Sequence, residues 1–80
     1  MNEQAFENKI YEILNHYGLL TEVEIFMLIK KLLKKDDADR FKYFDINRQG
    51  VILDSMYQKK RITFDIIRGE RYWRITGDYV

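Results

Sequence analysis

Apolar side chains over residues 3–17 recur at helical spacing. Phe6, Ile10, Ile13, Leu14 and Tyr17 fall three or four apart and predict one buried stripe on an amphipathic helix. Glu3 and Glu7 lie in its first half, where the helix dipole favours anions. Gly18 follows as a left-handed C-terminal cap. A second stripe, Ile25, Leu28, Ile29, Leu32 and Leu33, predicts a helix over 22–35, widened by Val23, Phe26 and Met27. Thr21 and Glu24 stand at capping-box spacing, with Leu20 and Ile25 placed as a hydrophobic staple. Lys30, Lys31, Lys34 and Lys35 load the last turns, where cations complement the dipole. Gly18 to Thr21 reads as the turn between the two helices.

Residues 36–60 admit two readings. In one, Asp45 caps a third helix running to about Gln58, with Ile46, Leu53, Met56 and Tyr57 facing in. In the other, the helix is Asp37–Asn47, packing through Phe41 and Phe44, Gly50 ends it, and Val51–Tyr57 is a strand. The bulk and β-branching of Val51, Ile52 and Leu53 favour the second. So does the cost of Gly50 inside a helix, about 1 kcal/mol relative to Ala.

From residue 61 the period changes to two. Ile62, Phe64 and Ile66 alternate with Arg61, Thr63 and Asp65, and Arg68-Gly69-Glu70 is a tight turn. Arg71, Trp73 and Ile75 then share one face, with Arg71 at its wet end. This is a hairpin with a basic tip.

Composition sharpens the picture modestly. The 80 residues suit one domain, 1–80, with a small core fed by five Phe, six Tyr and one Trp. Without cysteine there is neither a disulfide framework nor a thiolate metal site. No long apolar run or leader segment is present, so a cytoplasmic location is expected. The net charge is +1, but it is uneven. Residues 1–40 carry six basic and eight acidic side chains, and residues 41–80 carry eight and five. A mildly basic second half points weakly to nucleic acid.

The order helix, turn, helix, connector, helix, hairpin resembles the winged helix-turn-helix family over essentially the whole chain. The cues are Gly18-Leu19-Leu20-Thr21-Glu22-Val23-Glu24-Ile25 entering the second helix, and Lys60-Arg61-Ile62-Thr63 entering the hairpin. Gly69-Glu70-Arg71-Tyr72-Trp73-Arg74-Ile75-Thr76 leaves its tip. The resemblance implies an α+β fold: three helices followed by a two- or three-stranded antiparallel hairpin sheet. It also implies a third helix in the major groove and a wing on the backbone or minor groove. Lys59, Lys60, Arg61, Arg68, Arg71 and Arg74 are then the wing contacts, and Lys42 and Arg48 the contacts on or after the reading helix. The acidic connector Asp36-Asp37-Ala38-Asp39 departs from that pattern and would repel phosphates.

The expected function is a non-enzymatic duplex-DNA-binding regulator or accessory factor that acts by occupancy. The alternative is a protein-interaction module or inhibitor of the same fold that binds no DNA. A homodimer is a further expectation, with Phe26, Met27 and Leu33 as interface residues. Asp45, Asn47, Gln49 and Gly50 imitate the start of an EF-hand loop, but Met56 stands where the bidentate Glu belongs, so no calcium site is expected. His16, the single histidine, reads as a residue at a helix end, and Ser55 has no base at recognisable spacing. No catalytic residue, metal or cofactor is expected. Phe64, Tyr72 and Trp73 could stack bases, but core packing is their expected use.

Overall fold

A computed structural model describes residues 3–33, 41–42 and 44–76. The elements are α1 (Glu3–Tyr17), β1 (Leu20–Thr21), α2 (Glu22–Leu32), α3 (Ile46–Gln58), β2 (Ile62–Ile67) and β3 (Glu70–Ile75). The strands make one antiparallel sheet in the order β1-β3-β2. This is an α+β fold in a winged-helix-like order.

The first helix lies where its stripe places it. Phe6, Ile10, Ile13 and Leu14 are buried, while Tyr17, at the open end, is exposed. Gly18 takes φ 87° and donates its N–H to the Leu14 carbonyl, a left-handed stop. The capping box forms: the Thr21 side chain accepts from the Glu24 N–H, and Glu24 Oε1 accepts from the Thr21 N–H at 2.9 Å. The helix is shorter than its apolar pattern. It ends at Leu32, which is exposed, and Leu33 is an extended C-cap packed against the core. The expected extension over Lys34 and Lys35, and the acidic connector 36–39, lie outside the described residues.

Of the two readings of residues 36–60 the structure bears out the first, a third helix capped by Asp45 and running over Ile46–Gln58, and corrects the favoured one: Val51–Tyr57 is helical, not a strand. Asp45 decides its start, its carboxylate accepting from the Arg48 N–H at 2.8 Å. Gln49, Ile52, Leu53 and Met56 then form a fully buried face, which outweighs the cost of Gly50 in the second turn. Ile46 and Tyr57, expected inside, are exposed, because the face is rotated toward Gln49 and Ile52. The second correction concerns the sheet. Its third strand is β1, within the expected turn, pairing Leu20 with Trp73 and Thr21 with Tyr72.

The core is one cluster between the three helices and the inner face of the hairpin. Trp73 at its centre is fully buried and meets Phe64 at 4.9 Å between ring centroids. Phe41 and Phe44 close the other side against Phe6 at 5.0 and 4.7 Å. Phe26 stacks on Phe44, so Phe26 and Leu33 serve the chain's own core, and of the three expected interface residues only Met27 is open.

Candidate nucleic-acid interface

α3 shows its outer surface to solvent. At 100° per residue, Asn47, Val51, Asp54 and Gln58 form one exposed stripe opposite the buried face. Tyr57 lies on the flank toward the hairpin, its ring 5.3 Å from that of Phe64. Arg48 lies on the opposite flank, in the first turn, exposed. Periodicity would have identified Asn47 and Val51 once Asp45 was taken as the cap; reading Val51 as strand hid them.

The hairpin is braced to the helices through Arg71. Its guanidinium meets Glu22 of α2 at 2.6 Å and Asp54 of α3 at 3.9 Å, and lies over the rings of Phe64 and Trp73. Trp73 Nε1 donates to the same Glu22 carboxylate at 3.3 Å. Gln49 completes the joint, its Nε2 donating to the Glu22 carbonyl at 2.8 Å while its buried Oε1 has no partner among the described residues. Glu22 thus orients both the wing and α3.

Ion pairing divides the expected contacts into two groups. Lys59 and Arg61 both turn inward to Glu7 on α1, at 2.8 and 3.0 Å, and that carboxylate is only 2% exposed. Arg71 is held as above, and Arg74 bonds Asp65 on the outer face at 2.8 Å. These four side chains already have carboxylate partners, so they form no continuous basic surface. Arg48, Lys60 and Arg68 have no carboxylate within ion-pair distance among the described residues. Lys42, expected on or after the reading helix, is instead exposed on the turn that precedes α3.

Lys60 and Arg68 share a second property. They are the two non-glycine residues with positive φ among the described residues, at 62° and 55°. Lys60 occupies the left-handed position of a Schellman motif after α3: Arg61 N–H bonds the Met56 carbonyl and Lys60 N–H the Tyr57 carbonyl, each at 3.0 Å. Arg68 and Gly69, both at positive φ between the paired Ile67 and Glu70, make a type I′ turn at the wing tip.

The other candidates fall into place without chemistry. Asp45, the first residue of the apparent calcium loop, is a helix cap. His16 lies exposed in the last turn of α1, edge-on to Tyr17. Among the described residues no cluster of His, Asp and Glu could hold a metal ion, and no helix is long and apolar enough to cross a membrane. Comparison of the chain with family models, curated proteins and solved structures finds no match.

Proposed function

We propose that this chain docks on duplex DNA, with the outer stripe of α3 in the major groove and the wing tip on the adjacent backbone. The observation that carries the reading is the placement of Arg68. It projects from a type I′ tip, in a backbone conformation suited to Gly or Asn, with no carboxylate among the described residues to hold it. A cation kept at a strained, solvated tip suits a phosphate ligand. The α3 stripe supports the same reading by residue type. Asn pairs with adenine, the valine methyls fit the thymine methyl, and a carboxylate such as Asp54 accepts from cytosine N4. Arg48 supplies a phosphate contact on the far flank.

A second reading, a protein partner, is favoured by one observation. Val51 and Ile66 are 62% and 61% exposed, and Asp54 stands near them on the same side of the molecule. The two readings separate in one experiment. Labelled random-sequence duplex is titrated at roughly 50 and 200 mM salt and followed by fluorescence anisotropy. The DNA reading expects binding that weakens with salt, with Arg48→Ala lowering the slope of log K against log salt by about 0.9. Arg74→Ala, whose cation is already neutralised by Asp65, should leave the slope unchanged. Absence of binding at the lower salt, or equal effects of both variants, transfers the function to the protein partner.

A further inference from the structure

The outer face of α2 is open to solvent. Besides Leu32 at the helix end, the exposed side chains of α2 are Val23, Glu24, Met27, Lys30 and Lys31, opposite the buried Ile25 and Ile29. Val23 and Met27 are 60% and 64% exposed and lie one turn apart. At about 100° per residue, Met27 is the centre of this stripe, with Val23 and Lys30 on one flank and Glu24 and Lys31 on the other. Its charges are open as well. Glu24 uses Oε1 in the capping box, and its Oε2 takes no bond among the described residues. Lys30 lies over the Phe26 ring, and neither it nor Lys31 has a carboxylate within ion-pair distance among the described residues. On the Val23 flank an open depression of about 210 Å³ is lined by Thr21, Glu22, Val23, Glu70 and Arg71. Glu70 is exposed there, with no cation within ion-pair distance among the described residues.

We propose that this face is a homodimer contact, in which α2 of a second copy packs antiparallel about a two-fold axis at Met27. The occupant follows from the order of residues on the stripe, which is complementary to itself. A two-fold axis normal to the plane of the two helices keeps each flank on its own side and reverses its direction. Glu24 lies three residues before Met27 and Lys31 four after it, about 4.5 and 6 Å along the helix from the axis. Each Glu24 therefore meets Lys31 of the second copy. On the other flank Val23 lies four residues before Met27 and Lys30 three after it. The alkyl stem of Lys30 of the second copy then covers Val23, and its ammonium enters the depression beside Glu70. At the axis Met27 meets itself, and its flexible thioether adapts to that contact. A parallel pair would instead set Lys31 against Lys30 of the second copy. An isologous contact needs a surface that matches itself, and the antiparallel pair supplies it. The stripe shares no residue with the proposed DNA surface, and association is measured without DNA, so the two proposals fail separately.

Sedimentation equilibrium of the full chain, at up to about 1 mM, tests the interface. One short helix from each copy makes a small contact, so the expected dimer is transient, with a Kd on the order of 0.1 mM. Salt weakens it by screening the Glu24–Lys31 pairs. Met27→Glu sets two carboxylates together at the axis and is expected to weaken the dimer about tenfold or more. Lys31→Glu, which faces Glu24 of the second copy, should weaken it about as much. The charge swap Glu24→Lys/Lys31→Glu restores opposite charges across the axis and should recover the association. If circular dichroism shows that the swap, which removes the capping-box carboxylate, does not fold, Met27→Glu and Lys31→Glu decide. Ile66→Lys, on the hairpin, should leave association intact. A chain monomeric throughout, a dimer that survives Met27→Glu or Lys31→Glu, or a folded charge swap that stays monomeric overturns the proposal. A dimer broken by Ile66→Lys also overturns it, because the copies would then meet through the hairpin.

Discussion

Lys60 and Arg68 occupy backbone positions that a glycine would fill with less strain, and a left-handed residue with a Cβ costs about 1–2 kcal/mol. Lys60→Gly is therefore expected to stabilise the chain by about 0.5–1 kcal/mol, after allowing for glycine's extra freedom in the unfolded state. Denaturant unfolding measures it, and an unchanged or lowered midpoint contradicts it. Glu7 presents the opposite case. It is a buried carboxylate serving two cations, so Glu7→Gln leaves Lys59 and Arg61 facing a neutral amide. Both cations can still reach water, which moderates the loss to about 1–3 kcal/mol. A midpoint within error of wild type would show that the pair of bridges contributes nothing. Neither feature was visible in the sequence. Glu7 lies beside a buried stripe but reads as a residue favoured by the helix dipole. Lys59 and Arg61, more than fifty residues away, read as ligands for phosphate. Pairing across that separation has no local signature.

The elements were legible in proportion to the strength of their local signals. Thr21 with Glu24, Gly18, and the alternation from Ile62 to Asp65 each specify a geometry within a few residues, and each is found as expected. The third helix was left between two readings, with the wrong one favoured, because two propensities pointed the wrong way. Val51, Ile52 and Leu53 favour a strand, and Gly50 disfavours a helix, but burial of Gln49, Ile52, Leu53 and Met56 overrides both. β1 was missed because two residues carry no periodicity; Trp73 and Tyr72 opposite create the strand. The account of α3 can be tested within the helix. A Cβ on Gly50 would meet nothing within 4 Å, so Gly50→Ala should raise stability by about 1 kcal/mol. Asp45→Ala should lower it by about 1 kcal/mol through loss of the cap. Thermal unfolding of the two single variants, with shifts of opposite sign, is the expected result. A destabilised Gly50→Ala would mean that a neighbour already fills that space.

At the scale of the molecule, the basic residues were legible in the sequence but their ion pairing was not. The sequence read all the basic residues of the second half as contacts, whereas the fold assigns Lys59, Arg61, Arg71 and Arg74 to carboxylates and leaves Arg48, Lys60 and Arg68 without such partners among the described residues. Composition cannot make that division, because it depends on which acid each cation meets. On the DNA reading proposed above, the surface carries few unpaired charges and its salt dependence is shallow. Base contacts from the α3 stripe would have to supply much of the discrimination.

The most direct test of the DNA reading uses one substitution measured in two ways. Arg68→Gly relieves the left-handed strain at the wing tip and removes the cation proposed to touch phosphate. The account predicts a higher unfolding midpoint together with weaker binding to duplex DNA at low salt, the salt slope falling by about 0.9. A variant that is more stable and binds DNA as tightly as the wild type would contradict it, because Arg68 would then be a strained residue with no role on DNA.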